Sequence, residues 1–148
     1  MSDDLIALEQ WAGGLLAALE PRERNALARR VAQDLRRSQQ KRIAAQLNPD
    51  GTAFEPRKPR KFRVKKGRVK MLAKLRTARY LKARGDASQA SVEFAGRVAR
   101  IARVHQYGLR DRAEPGAPEV RYPERQPLGF TAEDIERVRD SLLAHLNV

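Results

Sequence analysis

"RYLKARGDASQASVEF", residues 79–94, decides the fold class. Tyr80 and Leu81 stand on one side of a Gly85–Asp86 pair, and Val92 and Phe94 alternate with polar residues on the other. Two short strand-type runs joined through Gly-Asp read as an antiparallel hairpin. The surrounding segments carry helical patterns, so this hairpin makes the chain α+β.

C-terminal to it, Val98, Ile101, Ala102 and His105 fall at i, i+3, i+4 and i+7. That spacing predicts a short buried helix over 97–106, with Gly108 where a C-cap glycine belongs. Residues 109–127 hold Pro115, Gly116, Pro118, Pro123 and Pro127, the chemistry of loops and edge strands. "TAEDIERVRDSLLAHL" (131–146) closes the pattern as a helix. Thr131 caps it, Asp134 holds the capping-box position, and Ile135, Val138, Leu142 and Leu146 form its apolar stripe.

On the N-terminal side, Met71, Leu72 and Leu75 share a face, which predicts a short helix over 69–75. Residues 52–67 place Pro56, Pro59 and Gly67 among charges with no period, and read as an extended arm or loop. "NPDG" (48–51) stops the helix before it. That helix begins at Pro21 and aligns Leu27, Val31, Leu35, Ile43 and Leu47, with Arg and Gln covering its other face. A first helix spans 3–19 on Leu5, Ile6, Leu8, Trp11, Leu15, Leu16 and Leu19. Gly13 and Gly14 weaken it by about 1 kcal/mol each relative to Ala. The result is one domain, 1–148: a helical part (1–47), a basic extended arm (48–68) and an α+β core (69–148).

With 41% hydrophobic and 33% charged residues among 148, the core is thin, which raises the expectation of self-association. The absence of cysteine excludes disulfides and thiolate chemistry. Two histidines, His105 and His145, fall short of a typical zinc site. No apolar run nears the ~20 residues that span a membrane, and "MSDDLIALEQW" is acidic where a signal peptide is basic. A soluble protein made in the cytoplasm, with no membrane partner, is expected.

The net charge of +13 belongs to one segment. Residues 57–84 contain 14 Lys/Arg and no Asp/Glu, while the remaining 17 basic residues face all 18 acidic ones. Such a run repels itself and favours a polyanion or an acidic protein face nearby. Arg57, Lys58, Arg60, Lys61, Arg63, Lys65, Lys66 and Arg68 are the candidate contact residues. Only Phe62 and Tyr80 interleave as aromatics, which disfavours base stacking, and contact to DNA would be through its backbone. A DNA backbone and an acidic neighbouring subunit fit this segment about equally.

His105 admits a catalytic or metal role, a nucleic-acid contact, or a structural role at a helix end. Its neighbours Gln106, Tyr107, Arg110 and Asp111 supply no spaced ligand set, and the structural reading is preferred. Asp3–Asp4 and Glu133–Asp134 sit in first turns of helices, where the dipole explains them. Neither a phosphate-binding glycine loop nor a serine elbow is present. No catalytic, metal or cofactor residue is assigned, and an enzyme is not expected.

"NPDGTAFEPRK" (48–58), "KMLAKLRTARYLK" (70–82), "FAGRVARIARVHQYGLRDR" (94–112) and "RYPERQPLGFTAEDIERV" (121–138) together resemble the virion morphogenesis (tail completion) proteins of temperate contractile-tailed bacteriophages. The likeness runs from about residue 20 onward, with Phe54 where the wider family often has Trp. It implies a structural virion protein that completes the head-proximal end of the tail and enables head–tail joining. It also implies a homo-oligomeric, hexameric ring around the DNA channel, in contact with the tail tube and neck or connector proteins. Nonspecific contact with the DNA in that channel follows from the same placement. The expected location is the virion tail, reached from the host cytoplasm. The matching positions are Asn48, Pro49, Asp50, Gly51, His105, Gln106, Tyr107, Gly108, Arg125, Leu128, Gly129 and Asp134, expected to be scaffold and subunit-contact residues. The alternative is a sequence-nonspecific nucleic-acid-binding basic protein.

Overall fold

The structure is a computed structural model that describes residues 2–58 and 70–146. In chain order the elements are α1 (Ser2–Ala17), α2 (Pro21–Ala44), β1 (Leu81–Gly85), β2 (Ala90–Phe94), α3 (Val98–Tyr107), β3 (Arg110–Arg112), β4 (Glu119–Arg121) and α4 (Ala132–Leu146). The class is α+β, as the hairpin predicts. Among the described residues the strands form two two-stranded sheets, β1–β2 and β3–β4, where the sequence suggested one.

The chain folds into two compact units. The first comprises Met1–Ser38, Lys82–Glu93 and Phe130–Val148; the second comprises Gln39–Leu81 and Phe94–Gly129. The apolar stripe of α2 is shared between them: Leu27, Val31 and Leu35 enter the first core, and Ile43 enters the second.

In the first unit, Leu8 and Ala12 of α1 pack with α2 and with Ile135 and Leu142 of α4. Trp11 and Leu15, expected on the core face of α1, are 38% and 37% exposed. The β1–β2 connection is a four-residue turn at 86–89, one residue beyond the expected Gly85–Asp86. Asp86 N–H donates to the Gln89 carbonyl (2.9 Å), and its carboxylate accepts from the Ser88 and Gln89 amides (2.7 and 2.9 Å). An Asp that bonds its own turn is the physical reason for the shift. At the start of α4, Thr131 Oγ1 accepts from Asp134 N–H and Asp134 Oδ2 accepts from Thr131 N–H, both at 3.0 Å. This is the reciprocal capping box the sequence predicts.

In the second unit, Ile43, Phe54, Leu72, Leu75, Val98 and Ala102 form the core. The helix expected over 69–75 is absent from the described part of that range, which is a succession of turns. Leu72 takes φ +61°, incompatible with a continuing right-handed helix, while its side chain is buried in the core. α2 stops at Ala44 in a Schellman arrangement: Gln46 N–H reaches the Ile43 carbonyl and Leu47 N–H the Arg42 carbonyl, with Gln46 at φ +60°. α3 ends the same way on Gly108 at φ +61°, with Leu109 N–H on the Val104 carbonyl. Within α3, Val98, Ala102, Val104 and His105 are buried, but Ile101, expected inside, is 47% exposed. β3 pairs antiparallel with β4 in the register Arg110–Arg121, Asp111–Val120, Arg112–Glu119.

Candidate partner-contact site

Residues 125–129 run through the second unit without a strand partner, so their backbone polar groups need other partners. Side chains and one backbone carbonyl from three distant stretches supply them. Arg125 N–H donates to the His105 carbonyl (2.7 Å) and Gln126 N–H to Asn48 Oδ1 (2.9 Å). Arg42 donates to the Gln126 and Pro127 carbonyls, both at 2.8 Å, and to the Leu47 carbonyl at 2.9 Å. Its guanidinium also bonds Gln39 Oε1. Gln106 pairs with both backbone groups of Leu128 (2.9 and 3.0 Å), and Gln39 does the same for Gly129 (2.9 and 3.2 Å). Each glutamine amide thus acts as a substitute peptide from an adjoining strand.

That use corrects the expectation that Arg and Gln cover an outer face of α2. Gln39 is 4% and Arg42 8% exposed. Gln46 repeats the device on Met71, donating to its carbonyl (2.9 Å) and accepting from its N–H (2.6 Å). These residues were missed because a polar side chain in a helix reads as solvated unless its partner is known. The available signal was the spacing of Gln39 and Arg42 at i and i+3, which marks one helix face, whereas Gln46 lies past the end of α2.

The "NPDG" turn is built by its own side chains. Gly51 N–H closes on the Asn48 carbonyl (2.9 Å) with φ +89°, and Asp50 Oδ1 accepts from Thr52 N–H (2.9 Å) and Thr52 Oγ1 (2.6 Å). Those bonds, the hydroxyl first, hold the Asp50 carboxyl below its ordinary range. Pro49 lies against Gly129 so closely that a Cβ there would stand 2.3 Å from Pro49 Cγ. Gly108 is similarly confined: a Cβ would meet Glu124 N and the Tyr122 carbonyl oxygen at 3.3 Å.

His105 and Arg125 form the other half. His105 is 5% exposed and its ring meets Tyr122 edge-on at 5.3 Å. Arg125 Nη1 lies 3.1 Å from His105 Nδ1. Guanidinium only donates, so Nδ1 carries the lone pair and the ring proton sits on Nε2. Burial, and secondarily the Arg125 charge, push the His105 pKa down to about 4, which keeps the ring neutral near pH 7. Arg125, 3% exposed, also donates from Nε to the Glu55 carbonyl (2.6 Å) and from Nη2 to the Pro56 carbonyl (3.2 Å). Burial lowers its pKa, and the Glu55 charge opposes that shift.

This arrangement fixes the root of the basic stretch. Phe54 is buried, the Glu55 and Pro56 carbonyls are held by Arg125, and Arg57 and Lys58 emerge exposed. Arg60, Lys61, Arg63, Lys65, Lys66 and Arg68 lie outside the described residues. Of the family-motif positions, Asn48, Pro49, Asp50, Gly51, His105, Gln106, Gly108, Arg125, Leu128 and Gly129 converge here. Tyr107 belongs to the same unit but is 64% exposed, and Asp134 is in the first unit, where Ser38 Oγ donates to it. Among the described residues the units also divide the charge: the first has 10 Lys/Arg against 12 Asp/Glu, the second 15 against 6.

A sequence family described as phage virion morphogenesis matches residues 3–147. Tail completion protein S of Escherichia phage P2 is 45% identical over 136 residues, covering 90% of this chain and 91% of that protein. No solved structure matches the chain.

Proposed function

The chain belongs to the phage virion morphogenesis family, and from that premise we propose that it completes the head-proximal end of a contractile phage tail and makes it competent to join the filled head. The observation that carries this reading is the 45% identity to a tail completion protein along nearly the whole of both chains. The chain acts as a ring of copies around the DNA channel, a structural component rather than an enzyme. His105 supports that role: it is buried and neutral, and its Nδ1 is committed to Arg125.

The basic segment has two uses within such a ring. Arg57 and Lys58, and the arginines and lysines after them, face either the DNA phosphates in the channel or the acidic side of a neighbouring protein. The first contact would be sequence-independent and steeply salt-dependent. The tail tube and the neck or connector proteins are the remaining partners.

Deleting this gene from a phage that carries it tests the proposal by electron microscopy of the lysate. Filled heads and separate tails are expected, with joined particles restored when the chain is expressed in trans. Normal joined particles in the deletion lysate would overturn the reading. Normal joining together with salt-sensitive DNA binding by the purified chain would favour the nucleic-acid-binding alternative, which rests on the 14 uncompensated charges of residues 57–84.

A further inference from the structure

The β3–β4 hairpin carries an arrangement that the fold does not explain. Its register sets Arg110 directly opposite Arg121. Tyr122 N–H donates to the Leu109 carbonyl (3.0 Å), so Leu109–Tyr122 is a hydrogen-bonded pair. Arg110–Arg121 is then a non-hydrogen-bonded pair, the kind in which opposed side chains stand closest. Like charges placed directly across from one another destabilise a hairpin. Both arginines are exposed, and among the described residues neither has an ion pair.

Side chains alternate along the strands, so Arg110, Arg112, Glu119 and Arg121 share one face, and Leu109, Asp111, Val120 and Tyr122 the other. The second face is turned toward α3, where Arg100 Nη2 lies 2.6 Å from Asp111 Oδ1 and the Tyr122 ring meets His105. The acid of β3 is thus neutralised on the inner side, and the outer side keeps three arginines against Glu119. Pro118 and Pro123 bracket β4, and five of the six strand residues are charged, a pattern that blunts an edge against addition of a partner's strand. The outer face also has no apolar side chain, whereas the centre of a protein–protein interface is apolar.

A phosphodiester backbone asks for neither a free edge nor an apolar centre, and guanidinium forks match phosphate oxygens. Arg110 and Arg112 are two residues apart on one strand, about 7 Å along it, close to the separation of successive phosphates on one nucleic-acid strand. The described part of the second unit, with 15 basic residues against 6 acidic ones, draws a polyanion toward it. We infer that the outer face of the β3–β4 hairpin binds the sugar–phosphate backbone of DNA, Arg110 and Arg121 closing on one phosphate. A shared anion offsets the repulsion that the register imposes. This site is separate from the basic segment 57–84. Its use in a tail rests on the proposed function; the binding itself does not.

Fluorescence anisotropy of the full chain with a labelled DNA duplex, titrated between about 50 and 200 mM salt, tests the inference. Arg110→Gln with Arg121→Gln is expected to weaken binding about tenfold at the lower salt and to make the slope of log K against log salt shallower by about 1.8, the share of two phosphate contacts. Duplexes of unrelated sequence should behave alike, because backbone contacts carry no sequence information. Arg22→Gln with Arg30→Gln, exposed positions on α2 with the same change in net charge, is expected to leave the slope unchanged. Removing the like-charge pair should hold the Tm of the hairpin variant at or above the parent's, which reports that it remains folded. The inference is overturned by a parent chain that fails to bind DNA at the lower salt, or by an equal loss in the α2 variant, where net charge alone would be acting. A hairpin variant with the parent's slope overturns it as well; if that variant also fails in head–tail joining, the face meets an acidic protein instead. A Tm below the parent's does the same, since the pair would then serve the fold. If the hairpin variant loses DNA affinity while a phage lacking the chain still joins heads to tails, the tail reading falls and the site stands.

Discussion

Gly129 shows how narrowly a single position is determined. The Pro49 ring cannot rotate away, and a methyl group at Gly129 would stand 2.3 Å from its Cγ. Gly129→Ala is expected to cost about 1–3 kcal/mol, read as a lowered denaturation midpoint at unchanged slope. His105 sets a pH dependence. Unfolded, its imidazole protonates near 6.5; folded, at about 4. The stability tied to the neutral ring is therefore complete above pH 6.5 and lost as pH falls toward 4, by up to about 3 kcal/mol. His105→Asn keeps an acceptor facing Arg125 and removes that titration. Urea denaturation at pH 7.5 and 4.5 should show a smaller loss on acidification in the variant than in the unchanged chain.

At the scale of elements, what was legible in the sequence was what neighbours in sequence decide. The capping box at Thr131–Asp134, the Gly108 terminus of α3 and the hairpin at 81–94 are all local devices, and all are present. Thr131→Ala should cost about 1 kcal/mol, measured by thermal or chemical denaturation. What was not legible depends on distant partners. The turns around Leu72 replace a helix because its side chain enters a core built by Ile43, Phe54 and Val98. Gln39, Arg42 and Gln46 look solvated until residues 126–129 and Met71 arrive to bond them. The motif stretches at 48–51, 105–108 and 125–129 were recognisable one by one, but their convergence needed the fold. Truncation there should be costly: Gln39→Ala leaves both Gly129 backbone groups without their amide partner, an expected loss of about 1–3 kcal/mol.

For the whole molecule, charge and stability are separable. Arg57 and Lys58 are exposed and make no contribution to either core. Charge reversal at both (Arg57→Glu, Lys58→Glu) should leave the denaturation midpoint within about 0.5 kcal/mol of the parent. The same double variant should impair head–tail joining, scored by counting joined particles in the complemented lysate. The fold thus holds residues 55–56, just before these charges, through Arg125.

The most direct measurement takes tails from a lysate lacking this chain and incubates them with purified, gold-labelled chain and filled heads. The account predicts label at one end of the tail only, the end that then joins a head, and joined particles that increase with the amount of chain added. Label along the whole tube or at neither end, or joining that proceeds equally well without the chain, would contradict it.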